Sequence, residues 1–184
     1  MSAFVWLSAL LSALYFSYGV YVPFWGLWLA SRDVTPEQIG LLMGLGMVLG
    51  NLLSGKLSGR FSPLRIAATT DMVIVASLLL LFALGELKTA SLVMGFICCA
   101  GLFALSAPLQ ILLLQNAKGG EMLGAALVQV AFNLGNALGA YCGGLPIDHG
   151  LGYRYTALAG MGFVLLGLLT VVIYIRKYPR HEMR

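Results

Sequence analysis

Charged residues divide this sequence into six long apolar segments. The segments cover roughly residues 4–31, 37–55, 66–86, 90–116, 121–147 and 154–175. Each is long enough to cross a hydrocarbon core of about 30 Å, because an α-helix rises about 1.5 Å per residue. The segments lack the strict alternation of apolar and polar residues that marks a membrane β-strand. The pattern predicts an all-α, polytopic membrane protein in which residues 1–184 form one domain of six transmembrane helices.

The second segment carries a helix-start signal. Thr35 precedes Pro36 and Glu37. A threonine side chain caps a helix N-terminus, and a proline fits the first turn, where its missing N–H has no partner to lose. The sequence therefore predicts that a helix begins at this point.

The composition excludes a soluble domain. The chain is 60% hydrophobic and 10% charged, whereas soluble domains are about half apolar and about a quarter charged. Its mean hydropathy is +0.91. The lipid bilayer is therefore the first predicted partner.

Lys and Arg residues are divided unevenly between the two ends of the predicted bundle. The end with both termini carries eight of them: Lys56, Arg60, Arg65, Lys118, Arg176, Lys177, Arg180 and Arg184. The other end carries three: Arg32, Lys88 and Arg154. Positive charge is retained on the cytoplasmic side, so both termini are predicted to be cytoplasmic. Topology thus explains the net charge of +4, and a nucleic-acid partner is not expected because the bases do not form one patch.

The chemistry-bearing residues do not form the clusters that catalysis or metal binding requires. Cys98, Cys99 and Cys142 lie in apolar segments, far in sequence from His149 and His181. A zinc site needs such ligands at close spacing. The sequence also lacks a nucleophile–base pair and a phosphate-binding loop. It predicts no cofactor, no metal and no enzymatic activity.

The loop between the second and third segments carries a family motif. Residues 55–65 read GKLSGRFSPLR. This resembles the loop that joins the second and third helices in each half of the major facilitator superfamily, with Gly55, Arg60 and Arg65 at matching positions. Gly59 stands where the family usually has an aspartate, a departure that weighs against a charge-relay role. The resemblance implies a gating loop, while the alternative is a basic turn that sets topology.

Two further segments resemble different branches of the same family. Residues 133–144 read NLGNALGAYCGG, and DHGLGYR follows at 148–154. This part, from about 55 to 175, resembles the C-terminal half of arabinose-efflux-type and drug:proton antiporter permeases. Residues from about 1 to 50, with YFSYG at 15–19, PFW at 23–25 and TP at 35–36, instead resemble the first two helices of phenylpropionate- or nucleoside:proton symporter-type facilitators. We therefore hypothesise a chimera, either engineered or recombined.

The resemblance implies one half of a facilitator, folded as two inverted three-helix repeats in a bacterial inner membrane. The full-length family binds substrate between two such halves. One half supplies only one wall, so the chain is expected to pair with a second copy of itself or with another six-helix half. It would then move a small organic solute such as a sugar, a drug or an aromatic compound. The alternative is a half-transporter that folds in the membrane without transporting.

Polar and aromatic residues within the spans are the candidate cavity residues, because polar groups in lipid need a partner or a cavity. The set is Tyr15, Tyr18 and Trp25 on the first helix, Gln110 on the fourth, and Gln129 and Asn133 on the fifth. Each has a structural alternative. The aromatic residues suit an interfacial belt, Gln110 suits a bond to backbone freed by Pro108, and the amides of the fifth helix suit helix packing.

Two further expectations concern packing and charge. Asp71 is the one carboxylate inside a span, barely two turns beyond Arg65 and too shallow for proton coupling. It is grouped with the gating loop through a predicted ion pair with Arg60 or Arg65. Small residues let helix backbones approach closely. The glycines at positions Gly46, Gly50, Gly135, Gly139 and Gly143 are therefore predicted to form the contact between copies or between halves.

Overall fold

The computed structural model describes residues 3–116 and 119–177, apart from the side chains of residues 3–5 and 121. Within these ranges all regular secondary structure is helical. The helices are α1 (Ala3–Ala30), α2 (Pro36–Ser58), α3 (Pro63–Leu84), α4 (Lys88–Gln115), α5 (Glu121–Asp148) and α6 (Arg154–Lys177). All six are long and apolar enough to span a membrane. The predicted all-α, six-span fold is confirmed. Three of the counted bases, Lys118, Arg180 and Arg184, lie outside the described residues.

Helix caps explain where the observed boundaries differ from the predicted ones. Thr35 caps α2 as predicted, since its hydroxyl accepts a hydrogen bond from the Gln38 N–H at 3.4 Å and its own N–H donates to the Gln38 side chain at 3.1 Å. The helix continues to Ser58, with Lys56 in its last turn, where a basic side chain complements the helix dipole. In α3, Ser62 caps the helix and Pro63 begins it, three residues before the predicted start.

Helices α1 and α4 form the centre of the bundle. In each of them 56% of the apolar stretch is buried, compared with 17% in α2 and 22% in α5. Helix α1 packs mainly against α5 and α6, and α4 packs mainly against α2 and α3. The pairing scheme is symmetric between the first three helices and the last three. Helix α1 corresponds to α4, and its partners α5 and α6 correspond to α2 and α3.

Contacts along the central pair show that α1 and α4 run in opposite directions. Tyr15 bonds to Ser106, and Trp25, further along α1, bonds to Ser91, which is earlier in α4. In contrast, α1 and α5 run in the same direction, because Tyr15 meets Gly135 and Val20 meets Gly143. These directions are those of two three-helix units in inverted orientation.

Glycines bring α5 into direct backbone contact with α1. A Cβ placed on Gly135 would lie 2.8 Å from the Tyr15 Cβ, and one on Gly139 would lie 2.8 Å from the Val20 nitrogen. Gly19 of α1 meets the Asn136 backbone in the same way, with the Asn136 Cα at 2.6 Å. Real Cβ atoms do not fit at such distances, so the close approach requires glycine.

The same kind of contact joins α2 to α4. A Cβ on Gly46 would lie 3.3 Å from the Cys99 Cβ, and one on Gly50 would lie 2.9 Å from the Phe103 Cβ. We call these two contacts the glycine seams. One joins Gly135, Gly139 and Gly143 to α1, and the other joins Gly46 and Gly50 to α4.

The glycine seams correct one expectation from the sequence. All five glycines were predicted to lie between copies or between halves. The structure instead places them against α1 and α4 of the same chain, and each of the five is buried. The predicted close approach is present, but its partners are helices of this chain. A contact with a second copy therefore has to use other residues.

Adding one methyl group to the seam should destabilise the fold. We expect Gly139→Ala to cost about 1–3 kcal/mol, because the new Cβ overlaps the α1 backbone and overpacking costs that much. The thermal unfolding midpoint of the purified chain in mild detergent measures the loss.

Gly144→Ala is the matched control on the same helix. Its Cβ would make an ordinary contact with Phe24 at 3.6 Å, so its unfolding midpoint should stay close to that of the unaltered chain. Equal losses in the two variants would show that the seam is not what holds α5 against α1.

Candidate functional site

A cavity of about 220 Å³ lies where α1, α4 and α5 meet. Its lining is mainly aromatic and aliphatic, with a few hydroxyl and amide groups, and none of the described side chains that line it is charged. The lining residues are Leu14, Tyr15 and Tyr18 of α1, Leu102, Phe103, Ser106 and Gln110 of α4, and Val128, Gln129 and Phe132 of α5.

Three side chains form a hydrogen-bonded cluster on the cavity wall. The Gln110 amide donates to the Tyr15 hydroxyl at 2.9 Å and to the Ser106 hydroxyl at 2.8 Å. The two hydroxyl oxygens lie 3.2 Å apart, so one of them donates to the other. This polar cluster ties α1 to α4 and gives the cavity a fixed polar patch.

Aromatic rings flank the polar cluster. The Tyr15 and Phe132 rings meet edge to face, with centroids 5.1 Å apart and planes at 85°. Tyr18 and Phe103 form a similar pair at 6.3 Å and 78°. Edge-to-face pairs are the preferred geometry of aromatic side chains, so these rings have defined positions around the cavity.

The cavity opens on the α5 side. Tyr15 is buried, whereas Gln129 and Phe132 are exposed. Asn133 is also exposed, and it accepts a hydrogen bond from Gln129 at 3.4 Å. The floor of the cavity is therefore the polar cluster between α1 and α4, and its mouth lies beside an exposed pair of amides.

Comparison with known proteins identifies the family. The sequence profile described as "Major Facilitator Superfamily" matches residues 5–184. The chain belongs to the major facilitator superfamily. The resemblance seen in the 55–65 loop is thereby confirmed.

Three relatives from Escherichia coli strain K12 show how the chain relates to other superfamily members. The putative transporter AraJ is 62% identical over 144 residues, which are 78% of this chain and 36% of AraJ. The inner membrane transport protein YdhP is 41% identical over 80 residues, 44% of this chain and 21% of YdhP. A probable 3-phenylpropionic acid transporter is 49% identical over 41 residues, 22% of this chain and 11% of that protein. The chain spans about a third or less of the length of these relatives.

In this superfamily member, four of the six residues predicted to line a cavity do line the same one. Tyr15, Tyr18, Gln110 and Gln129 line it. Asn133 lies next to the mouth, and Trp25 lies elsewhere. The Trp25 ring is buried, and its N–H points to the backbone and side-chain oxygens of Ser91, each at 3.3 Å. Trp25 is therefore a packing residue that joins α1 to α4, which corrects the prediction.

Six of the ten lining residues were not among the predicted cavity residues: Leu14, Leu102, Phe103, Ser106, Val128 and Phe132. Ser106 lies one helical turn before Gln110, a spacing that places both on the same face of α4. Phe103 and Phe132 were missed because an aromatic residue in a membrane helix suits lipid, packing and cavity positions equally. For Ser106 the spacing from Gln110 was the available signal.

The predicted gating loop lies at the end of the bundle where α2 is joined to α3. A side chain at Gly55 would meet open space, so packing within the described chain does not require a glycine there. Arg60 and Arg65 are exposed. The backbone N–H of Arg65 donates to the Ser62 hydroxyl at 3.4 Å. Both basic side chains of the family motif are thus at the surface.

Asp71 is not where its prediction placed it. Its side chain is buried, with 3% exposure, and one carboxylate oxygen lies 3.7 Å from a Cβ placed on Gly167 of α6. That oxygen has no hydrogen-bond partner among the described residues. The predicted pairing with the exposed Arg60 or Arg65 is therefore wrong, because the carboxylate is enclosed between helices.

The opposite end of the bundle carries close contacts between loops. Arg32 forms an ion pair with Glu86 and lies over the Trp28 ring at 5.0 Å. Lys88 donates to the Asp33 carbonyl at 3.4 Å. These contacts join the α1–α2 turn to the α3–α4 turn.

The tyrosine hydroxyls of α1 should separate into a group that stabilises the fold and a group that faces the cavity. Tyr21 is fully buried and donates to the Gly95 carbonyl at 3.3 Å. We expect Tyr21→Phe to destabilise the chain by about 0.5–1.5 kcal/mol, the usual net value of such a bond. Thermal unfolding in mild detergent measures the difference.

The same substitution at Tyr18 is the control. Tyr18 is half-buried and faces the cavity. Tyr18→Phe should change the free energy of unfolding by less than about 0.5 kcal/mol, as substitutions away from buried bonds do. A larger loss of stability at position 18 than at position 21 would contradict this division of the α1 tyrosines.

Proposed function

We propose that this chain is a half-size transporter that works as a homodimer and moves a small organic solute through a site between two copies. The observation that carries the proposal is the cavity between α1, α4 and α5, which has a polar floor and an open mouth. A single copy supplies the polar floor and leaves the mouth open. A second copy facing the mouth would complete the site.

The exposed amides of α5 support a partner at the mouth. Gln129 and Asn133 lie well inside a membrane span and are exposed to the surroundings. Hydrocarbon cannot satisfy amide groups, and polar groups at this depth face a protein partner or a water-filled cavity. Amides also hydrogen-bond across helix contacts at about 0.6 kcal/mol each. This face of α5 is therefore better suited to a second six-helix unit than to lipid.

The loop residues and the charge distribution suggest the orientation. Gly55, Arg60 and Arg65 occupy the positions of the family loop, so we propose that they act in gating, on the cytoplasmic side. Eight bases at that end against three at the other favour cytoplasmic termini. YdhP is named as an inner membrane protein, and a bacterial inner membrane is the proposed location.

The alternative proposal is a recombined half-transporter that inserts and folds without transporting by itself. Its support comes from the relatives. AraJ matches 144 residues of the chain, and the probable 3-phenylpropionic acid transporter matches 41. A junction of two different transporter genes would produce matches to two such relatives.

Reconstitution into liposomes decides between the two proposals. We expect radiolabelled solutes from a panel of sugars and aromatic compounds to enter vesicles that contain the chain faster than empty vesicles. The protein mass in mild detergent should be that of two copies. A strict monomer without flux would reject the homodimeric transporter and leave the recombined half-transporter.

Cysteine cross-linking tests where the second copy sits. In a background with Cys142→Ser, we expect Asn133→Cys to form a disulfide-linked dimer in membranes under mild oxidation. Val73→Cys is the matched control, because Val73 is exposed on α3, away from the mouth. Cross-linking at position 73 but not at 133 would place the partner on the wrong face for the proposed site.

A further inference from the structure

The polar cluster leaves a defined hydrogen-bonding pattern unused. Both N–H groups of the Gln110 amide are occupied by the Tyr15 and Ser106 hydroxyls. Those two hydroxyls share one hydrogen between them. One hydroxyl hydrogen and the Gln110 carbonyl oxygen therefore remain available, together with one lone pair on the hydroxyl that donates to the other. A hydroxyl group on a ligand is complementary to the free hydrogen and the carbonyl oxygen, since it accepts from the first and donates to the second.

The electrostatic character of the cavity restricts ligand charge. The polar groups that line it are hydroxyls and amides of Tyr15, Tyr18, Ser106, Gln110 and Gln129, and no described lining residue carries a charge. Moving an ion out of water without a counter-charge is costly. An anionic or cationic solute would meet no partner of opposite charge on this wall.

The dimensions of the cavity restrict ligand size. Its volume of about 220 Å³ is below the range of about 300–1,000 Å³ found for sites that hold drug-sized molecules. The Tyr15–Phe132 and Tyr18–Phe103 pairs place flat apolar surfaces beside the polar cluster. The cavity of one copy therefore has room for a single ring beside the polar cluster.

We propose that the solute is an uncharged, single-ring molecule with at least one hydroxyl group, which binds to the unused donor and acceptor of the Tyr15–Ser106–Gln110 cluster. The proposal rests on the proposed function for its physiological meaning, but the recognition chemistry is a property of this chain. Monosaccharides and simple phenols share the required chemistry. Gln110 determines specificity, because its carbonyl oxygen is the acceptor for the ligand hydroxyl and its amide orients both protein hydroxyls.

Matched pairs of neutral and anionic compounds test the charge restriction. The chain is placed in lipid nanodiscs, and binding of radiolabelled D-xylose, D-glucuronate, hydroquinone and 4-hydroxybenzoate is measured with empty nanodiscs subtracted. We expect the neutral member of one pair to bind at least about tenfold more tightly than its anion, which corresponds to about 1.4 kcal/mol. The pair that binds shows whether the ligand is a sugar or a phenol. Equal binding of neutral and anionic members, or no binding by either pair, would overturn the proposal.

The role of Gln110 is tested by Gln110→Met, which keeps the length of the side chain and removes its polar atoms. Binding of the neutral compound should weaken by about tenfold. Gln115→Met is the control, because Gln115 is exposed near the end of the same helix and does not line the cavity. It should change binding by less than about twofold, a few tenths of a kcal/mol. Unchanged binding in Gln110→Met would contradict the assignment.

These measurements separate the inference from the proposed function. The comparison of neutral with anionic ligands uses the unaltered chain, so it remains decisive if Gln110→Met fails to fold. Selective binding of the neutral ligand without flux in liposomes would support the recognition site and reject transport by the homodimer. Flux of anions as fast as of neutral compounds would support transport and reject the recognition site.

Discussion

The direct backbone contact between α1 and α5 is the interaction on which the rest of the structure depends. Lipid removes the hydrophobic drive that brings helices together in water, so close packing has to supply the stabilisation. Gly135, Gly139 and Gly143 supply it by allowing α5 to lie against the α1 backbone. The contact of Gly46 and Gly50 with α4 repeats the arrangement in the other three-helix unit. The two seams together hold the peripheral helices α2 and α5 on the central pair.

The glycine seam between α1 and α5 also sets the geometry of the cavity. Gly135 lies against the Tyr15 Cβ, and Phe132, one turn earlier on α5, meets the Tyr15 ring edge to face. The close approach at Gly135 therefore positions the wall that α5 contributes. On the other side of the cavity, the bonds from Gln110 to Tyr15 and Ser106 hold α4 against α1. The site is thus built by the same contacts that stabilise the fold, and its polar floor is fixed before any ligand enters.

Length, apolarity and cap residues were enough to predict the six helices, because crossing a bilayer is a local requirement on each segment. Tyr15, Tyr18, Gln110 and Gln129 could be proposed as cavity residues because polar atoms in a span need a reason to be there. The sequence did not separate Trp25 from them, since a ring with one polar atom suits a buried hydrogen bond as well as a cavity. For the seam glycines, spacing predicts a close neighbour but not whether that neighbour belongs to the same chain. Asp71 shows a similar limit, because nearness in sequence to Arg65 says nothing about the side to which the carboxylate turns.

Helices α1 and α2 barely touch one another, and each packs chiefly on helices from the later part of the chain. The surface that α1 offers to α5 is largely main chain: Gly139 faces the Val20 nitrogen, and Gly19 faces the Asn136 backbone. The α1–α5 contact therefore needs few complementary side chains, whereas the contact of α1 with α4 depends on side-chain hydrogen bonds of Tyr15, Tyr21 and Trp25. Exchanging the first two helices between relatives would keep the backbone docking on α5 but replace Tyr15 and Tyr18 on the cavity wall, so ligand preference and the α1–α4 contact would change together.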